Sequence, residues 1–467
     1  MKTEKFFWGN SVSSMQTEGG WNEDGKSLSV YDVRPASEHA SDWHVANDNY
    51  HHYEEDMDLM KDLGMNMYRF QISWSRVVKN GDGDFNEAGI AYYDHFIDAL
   101  LARGIEPMIC LYHFDMPLHL AKEYNGFVSK KVMQAFIRFG KEMVDRFGDK
   151  VKYWITFNEQ NLYHTPDAFT YAGYLEGEKS ADELYQISHN VMVAHAAITN
   201  YIHEKTDAKI GGMLAYSEVY PATCAPEDIL AARKWDEFMN YNLMEAFVNG
   251  RYSHEVTTYI KNTGINCQVL PGELDTISAM TSDFLAFSYY ASTTVNSKKI
   301  PTGTVPNYYL AYGGQNNPYI DTTEWNWQID PLGFRDIMNK MYQRYQLPIF
   351  PIENGIGVKE EWDGKNPIED DYRIDYHKEH LKAMYQAMYI DGVETLGYLG
   401  WGLIDILSSQ ADMRKRYGLV YVNRTNHDLR DMKRVPKKSY HWFKKVIQTD
   451  GADLKEPIKR EVRKYTK

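Results

Sequence analysis

The chain has 467 residues, of which 25% are charged and 43% hydrophobic, as in an ordinary globular protein. Its formal net charge of −14 argues against a surface that binds nucleic acid. The three cysteines are widely spaced, which argues against a disulfide framework or a zinc site. The N-terminus shows no secretory signal, and no window approaches the roughly 18 apolar residues of a membrane span. We therefore expect a cytoplasmic protein.

Short apolar runs alternate with helical patterns along the whole chain. In residues 90–104, for example, apolar side chains recur every three or four positions, which is typical of one buried helix face. Gly104 follows where a left-handed C-terminal residue belongs, and Ser129 is a candidate N-cap for a helix over 129–149. The eight apolar runs, which we predict to be strands, are residues 6–9, 67–72, 107–112, 153–157, 210–215, 284–287, 349–352 and 395–401.

The repeated order of strand and helix predicts a parallel sheet covered by helices. A closed (β/α)8 barrel, the TIM barrel of the α/β class, accommodates eight such units. We expect a single barrel domain over residues 1–467, with the extra length inserted in loops. An open doubly wound sheet is the alternative, but no glycine-rich fingerprint follows the first strand.

Polar side chains follow the predicted strands at the ends that would form the mouth of the barrel. Strand ends also meet water, which would explain any single polar residue there. That explanation accounts poorly for a set of carboxylates, amides, rings and an arginine that converge on one mouth. The set comprises Gln16, Glu18, Arg69, His113, Asn158, Glu159, Tyr289, Tyr290, Glu353 and Trp401.

Glu159 and Glu353 each end an apolar run on a carboxylate. Two facing carboxylates suit glycoside hydrolysis, in which one protonates the departing oxygen while the other attacks the anomeric carbon or activates water. The two groups need different pKa values. Arg69 and the pair of Tyr289 and Tyr290 are candidates to stabilise Glu353. Asn158 is a candidate to hold a sugar hydroxyl.

Several segments resemble, in chain order, blocks of glycoside hydrolase family 1, the retaining β-glycosidases. The segment TFNEQN around Glu159 resembles the family's acid/base motif TFNEP, and PIENG around Glu353 resembles its nucleophile motif (I/V)TENG. Further blocks match MQTEGGW, YRFQISWSR, LYHFDMP, FSYY and GYLGWGLID. The resemblance runs nearly end to end and implies a double displacement that retains the anomeric configuration.

By this resemblance, Glu353 is the nucleophile, and Glu159 is first the acid and then the base. Arg69 and Tyr290 would flank the nucleophile. The other residues that would bind substrate are Gln16, His113, Asn158, Tyr290, Trp401 and, as the platform for the leaving group, Trp327. The resemblance implies no metal and no cofactor. Ser288 replaces the asparagine of the usual NYY motif, which puts one hydrogen bond around the sugar in doubt.

The sequence of residues 401–418 indicates whether the expected substrate is a free sugar or a phosphorylated one. Relatives that take free sugars carry a glutamate that grips sugar hydroxyls, and Ser408 stands at that position here. Together with Lys415 and Tyr417, this serine resembles the phosphate-binding set of the 6-phospho-β-glycosidases. At ~4 Å and an effective dielectric constant of ~20, each like-charge contact between a glutamate and a phosphate would cost on the order of 4 kcal/mol. Serine removes that repulsion, while lysine adds a charge and tyrosine a donor.

We therefore expect retaining hydrolysis of a small β-glycoside that is 6-phosphorylated, most specifically a 6-phospho-β-glucoside. One alternative is a β-glucosidase or β-galactosidase for unphosphorylated sugars, in which the basic stretch is a solvated loop and the serines only cap a turn. Another is a catalytically silent barrel that binds glycosides. The sequence leaves open the choice between gluco and galacto sugars, the aglycone and the formation of a homo-oligomer.

Overall fold

The structure, a computed structural model, describes residues 6–454 and is built around a sheet of eight parallel strands. Every predicted apolar run coincides with one of these strands, and the ends differ by at most two residues. In chain order the strands are β1 (Phe7–Ser11), β2 (Met67–Gln71), β3 (Glu106–Tyr112), β4 (Tyr153–Phe157), β5 (Lys209–Ala215), β6 (Phe284–Tyr289), β7 (Ile349–Asn354) and β8 (Gly397–Trp401).

The strands follow one another around a barrel. Each pairs with its sequence neighbours, and β1 also pairs with β8. The ring closes where β7 meets the start of β8 at a parallel bridge between Ile349 and Thr395. There the amide of Ile349 donates to the carbonyl of Glu394 at 2.8 Å, and the amide of Leu396 donates to Ile349 at 3.0 Å. The predicted (β/α)8 barrel is confirmed, and the open doubly wound alternative is wrong.

The strands read as apolar runs because both faces of the sheet are buried. One face packs against the surrounding helices in a large core that includes Trp74 and Trp154. The other face fills the barrel interior below the mouth. The interior side chains are Phe7, Met67, Met108, Cys110, Ile155, Met213, Phe284, Ala286, Phe350, Ile352 and Leu399.

Helices follow every strand and cover the barrel from outside. The helix Lys130–Phe147 illustrates how the sequence forms them, because its buried side chains recur every three or four residues. The Ser129 side chain accepts a hydrogen bond from the amide of Lys131, so its predicted N-cap role is confirmed. The principal helices are Asn49–Leu63, Glu87–Ala102, Lys130–Phe147, Ala181–Lys205, Pro226–Asp236, Asn242–Asn249, His254–Thr263, Glu273–Ala279, Pro331–Tyr345, Asp371–Tyr389 and Lys438–Gln448.

Insertions enlarge the loops at the C-terminal ends of the strands, as the chain length predicts. After β7, the short strand Val358–Lys359 pairs antiparallel with Lys415–Arg416, which lies after β8. We call this pair the mouth ribbon. The loops that follow β5 and β6 form a three-stranded sheet of Val219–Pro221, Thr293–Val295 and Gly314–Gln315. Among the described residues, no helix is both long and apolar enough to cross a membrane.

Candidate active site

A cavity of about 470 Å³ opens at the C-terminal ends of the barrel strands. Its lining residues come from distant parts of the sequence, and they are neighbours because the barrel is closed. A wider depression of about 810 Å³ around Tyr124 and Lys131 contains none of the predicted site residues. The predicted residues that line the mouth cavity are Gln16, His113, Glu159, Tyr290, Trp327, Glu353, Trp401 and Tyr417.

Glu353 lies near the end of β7 and is held by two donors. The Arg69 guanidinium on β2 donates to Oε1, and the Tyr290 hydroxyl donates to Oε2 at 2.9 Å. The pairing of β7 with β6 shifts register between Pro351 and Glu353, an irregularity of the kind that re-aims a side chain. Both oxygens of this buried carboxylate are therefore fixed by donors that favour its ionised form.

Glu159 lies two residues beyond the end of β4, and its side chain lines the cavity. Its φ of 46° lies in the left-handed region, which residues other than glycine, asparagine and aspartate adopt rarely. The Ser288 hydroxyl at the end of β6 donates to Glu159 Oε1. The serine that replaces the family's asparagine thus has a hydrogen-bond partner in the site.

The two carboxylates have different electrostatic environments. Burial, reinforced by the charge of Glu353, raises the pKa of Glu159 to about 8, although Ser288 and Arg69 oppose that rise. Burial also raises the pKa of Glu353, but there the adjacent cation and two hydrogen bonds act against the rise. Glu159 is consequently the carboxyl suited to carry a proton near neutral pH, with Glu353 ionised beside Arg69.

Arg69 links Glu353 to the neighbouring polar groups. Its Nη2 donates to Asn158 Oδ1 at 2.6 Å, and Nδ2 of Asn158 has no hydrogen-bond partner among the described residues. Nδ1 of His113 is also buried and unpartnered within residues 6–454. Burial and the charge of Arg69 lower the pKa of His113 well below its usual value, so its ring is neutral. Both atoms are suited to sugar hydroxyls, which accept and donate hydrogen bonds.

Gln16 and Trp401 complete this side of the cavity. The Gln16 amide donates to the carbonyl of Leu407 at 2.7 Å and accepts from the Ser13 hydroxyl at 2.6 Å, so its orientation is fixed. The Trp401 ring lies 5.5 Å from the His113 ring. A flat apolar ring beside fixed polar groups is the combination that a sugar requires.

The three residues predicted to bind phosphate occupy different positions. Tyr417 lines the cavity, and burial raises its pKa, so it remains a hydroxyl donor. Lys415 does not line the cavity, but its amine lies over the ring of Trp327, which does, at 3.8 Å from the ring centre. Ser408 does not line the cavity. Its hydroxyl accepts from the amide of Asp412 at 3.0 Å, which is the turn-capping role considered above, while its own proton remains available.

The Lys415 amine forms no ion pair or hydrogen bond with any residue in the described part of the chain. Burial lowers its pKa to about 8, with Asp412 and Glu324 acting in the opposite direction. It is enclosed by the rings of Trp325, Trp327 and Tyr417. A buried cation without a counter-ion at the edge of a cavity is suited to an anionic ligand.

Sequence reasoning missed residues that reach the cavity from long loops. Phe114 stacks on Tyr171 at 4.1 Å, and its φ of 73° is left-handed, like that of Glu159. Arg34 lies over the Tyr31 ring at 4.0 Å. The additional lining residues are Met15, Tyr31, Arg34, Phe114, Asp167, Thr170, Tyr171, Ser409 and Gln410. No periodic pattern marks such loop residues. Two of them carried another sequence signal, because Phe114 follows a strand end and Ser409 follows Ser408 in the stretch 401–418.

Within residues 6–454, no group of histidine, cysteine, aspartate or glutamate side chains is arranged to hold a metal ion. The chemistry that the cavity supports from its own residues is proton transfer by one carboxyl and charge stabilisation or attack by the other.

Comparisons with known proteins agree with this geometry. The chain is 39% identical to the aryl-phospho-beta-D-glucosidase BglA of Bacillus subtilis (strain 168), over 96% of this chain and 98% of the relative. It is 38% identical to the 6-phospho-beta-glucosidase AscB of Escherichia coli (strain K12), over 97% and 99%. The solved family 1 β-glucosidase of Thermotoga maritima superimposes with a TM-score of 0.84 at 28% identity, covering 96% of this chain and 98% of that one. The model of "Glycosyl hydrolase family 1" matches residues 2–452, and the chain therefore belongs to glycosyl hydrolase family 1.

Proposed function

We propose that this protein hydrolyses 6-phospho-β-glucosides with retention, using Glu353 as nucleophile and Glu159 as acid and then base. The observation that carries the chemistry is the pair of carboxylates that line one cavity. Glu353 is buried and accepts from the Arg69 guanidinium, whereas Glu159 is half-buried and accepts from the Ser288 hydroxyl. A cytoplasmic location belongs to the same proposal, because a sugar phosphate is too strongly charged to cross a lipid bilayer unaided.

In the first step, protonated Glu159 donates to the glycosidic oxygen while Glu353 attacks the anomeric carbon from the opposite face. The leaving group departs as an alcohol, and the sugar is joined to Glu353 as an ester. Ester formation removes the negative charge that contributes to the raised pKa of Glu159. The pKa of Glu159 then falls, so the same carboxylate can take a proton from water in the second step.

The Lys415 amine supports the phosphate preference. It lies 3.8 Å from the centre of the Trp327 ring and 5.6 Å from that of the Tyr417 ring, both of which line the cavity, and it has no counter-ion among the described residues. A phosphate dianion would supply that counter-ion and keep the amine protonated. The names of the two curated relatives reported above, both phospho-β-glucosidases, agree with this preference.

Action on unphosphorylated β-glucosides is the second candidate. The Thermotoga maritima structure supports it, because that protein is a family 1 β-glucosidase and its fold is closely similar. The position of Ser408 outside the cavity lining also favours it, because this serine would have to act through its remaining proton.

We expect 4-nitrophenyl β-glucoside 6-phosphate to be hydrolysed with a kcat/KM about 10²-fold or more above that of 4-nitrophenyl β-glucoside. Replacing Lys415 with methionine should remove most of this ratio by raising KM for the phosphorylated substrate. Lys359→Met is the matched control, because Lys359 faces Lys415 across the mouth ribbon but is exposed and paired with Glu324 at 3.8 Å. A native preference for the unphosphorylated substrate would exclude the phosphate assignment.

The kcat of the native enzyme is expected to fall as the pH rises above about 8, roughly tenfold per pH unit. The reason is that Glu159, whose pKa is raised to about 8, must hold its proton to act as the acid. This fall is the alkaline limb of the pH profile of kcat. Ser288→Ala should move the limb to higher pH, because the hydrogen bond that is lost favours the ionised form of Glu159. A 2,4-dinitrophenyl substrate, whose leaving group needs no proton, should abolish the limb. A limb that persists with this substrate contradicts the acid role.

A further inference from the structure

The phosphate-binding residues are attached to the barrel by a fully buried set of charges behind the mouth ribbon. Three cations and three carboxylates belong to it, and none of them is more than slightly exposed. We call this set the mouth ion network. Its members are Glu360, Asp370, Arg373, Asp405, Arg416 and Lys437.

Arg373, on the helix Asp371–Tyr389, binds the backbone of both loops of the mouth. Its Nη1 donates to the carbonyl of Ile356 at 2.6 Å, three residues beyond Glu353. The same nitrogen donates to the carbonyl of Tyr417 at 3.0 Å, and Nη2 donates to the carbonyl of Arg416 at 3.3 Å. The planar guanidinium therefore ties the loop after β7 to the segment that carries Lys415 and Tyr417.

Two carboxylates hold the guanidinium in place. Nη2 of Arg373 donates to Glu360 at 2.6 Å, and Nε donates to Asp370 at 3.0 Å. Glu360 also accepts from Lys437, whose amine donates to Asp405 at 3.0 Å. Asp405 in turn accepts from the amide of Gly418 at 2.9 Å. The backbone from 416 to 418 is thus held by charged groups, with no regular secondary structure beyond the two residues of the ribbon strand.

The contact between the two loops is close as well as charged. A Cβ atom at Gly357 would lie 2.7 Å from the Lys415 side chain and 3.0 Å from the Tyr417 ring. Displacing either loop would consequently displace the Lys415 amine and the Tyr417 hydroxyl. Glu353 depends less on this contact, because β7, Arg69 and Tyr290 hold it independently.

We propose that Arg373 is a positioning residue for the phosphate of the substrate, acting through the backbone of Arg416 and Tyr417 without touching the ligand. This inference rests on the proposed 6-phospho-β-glucoside specificity and assigns part of that specificity to a residue outside the cavity. Lysine cannot reproduce the forked contacts of arginine, although it keeps the charge.

The test compares Arg373→Lys with the native enzyme on 4-nitrophenyl β-glucoside and on its 6-phosphate. KM for the phosphorylated substrate should rise about tenfold, while kcat for either substrate and KM for the unphosphorylated one change less than about threefold. The inhibition constant of glucose 6-phosphate should rise in parallel with that KM, and the weak inhibition by glucose should not change.

Arg434→Lys is the matched control. Arg434 is equally buried and binds one carboxylate, Asp56, and two backbone carbonyls, those of Asn47 and Met432. It should lower the thermal unfolding temperature by a similar amount without changing the ratio of KM values. Equal effects of the two variants on both substrates would overturn the positioning role and leave only a structural one.

The outcomes separate the two proposals. A native enzyme that shows no preference for the phosphorylated substrate refutes the proposed specificity and the inference with it. A native preference that Arg373→Lys leaves intact refutes the inference alone. If Arg373→Lys fails to fold, the variant Asp405→Asn, which weakens the hold on Gly418 and Arg416 from the other end of the network, should give the same selective rise in KM.

Discussion

Replacing Glu353 with glutamine is expected to lower kcat by more than about 10⁴-fold on 4-nitrophenyl β-glucoside 6-phosphate. An amide oxygen is a poor nucleophile, so the ester to the sugar does not form. Added azide should not restore activity, because the glutamine side chain fills the space from which azide would have to attack. The measurement is the release of nitrophenol with and without azide, at matched protein concentration and after a check of folding by circular dichroism.

Glu218→Gln is the control, because it shows how much activity is lost when a buried glutamate outside the cavity is neutralised. Glu218 is also buried and bound to a cation, with Lys340 at 2.6 Å, but it does not line the cavity. It should retain a kcat within about threefold of the native value. More than about 1% residual activity in Glu353→Gln, reproduced after repurification, would be incompatible with a nucleophilic role for this residue.

Replacing Glu159 with alanine is expected to slow hydrolysis of substrates with poor leaving groups by about 10³-fold. With a 2,4-dinitrophenyl leaving group the first step needs no acid, so a burst of dinitrophenol should precede a slow steady state. Azide should then accelerate turnover, because it needs no base and fits the space that alanine leaves. The expected product is the β-glycosyl azide, which NMR spectroscopy distinguishes from the α anomer.

The configuration of the azide product tests the assignment of the two roles. A β product from Glu159→Ala arises from a covalent intermediate on Glu353, whereas Glu353→Ala with azide should give the α product by direct displacement. If Glu159→Ala gave the α product and Glu353→Ala the β product, the roles of the two glutamates would be reversed. A lack of azide rescue in Glu159→Ala would remove the base role altogether.

The barrel could be predicted from the sequence because its strands are buried on both faces. Such strands read as uninterrupted apolar runs, and the regular helices between them have one apolar face. The strand ends were off by up to two residues, as at β1 and β8, because hydrogen bonding and not hydrophobicity decides where a strand stops.

The residues at strand ends could also be placed in advance, because barrel closure brings all C-terminal strand ends together. Glu159, His113 and Glu353 line one cavity for that reason. The positions of Ser408 and Lys415 could not be derived in this way, because they lie several residues beyond the end of β8, in a segment whose only regular structure is the short strand Lys415–Arg416. Arg373 gave no sequence signal, because an arginine in an amphipathic helix looks like a solvent-exposed residue until the fold buries it.

Two residues that follow adjacent strands, Phe114 and Glu159, have a left-handed backbone conformation, which disfavours any residue that carries a Cβ atom. Each costs on the order of 1 kcal/mol relative to glycine. Selection for heat resistance alone would therefore drive position 159 towards glycine and away from a carboxylate. In directed evolution for thermostability, a substitution at position 159 would raise the melting temperature and at the same time abolish turnover. Libraries should therefore leave this residue unchanged.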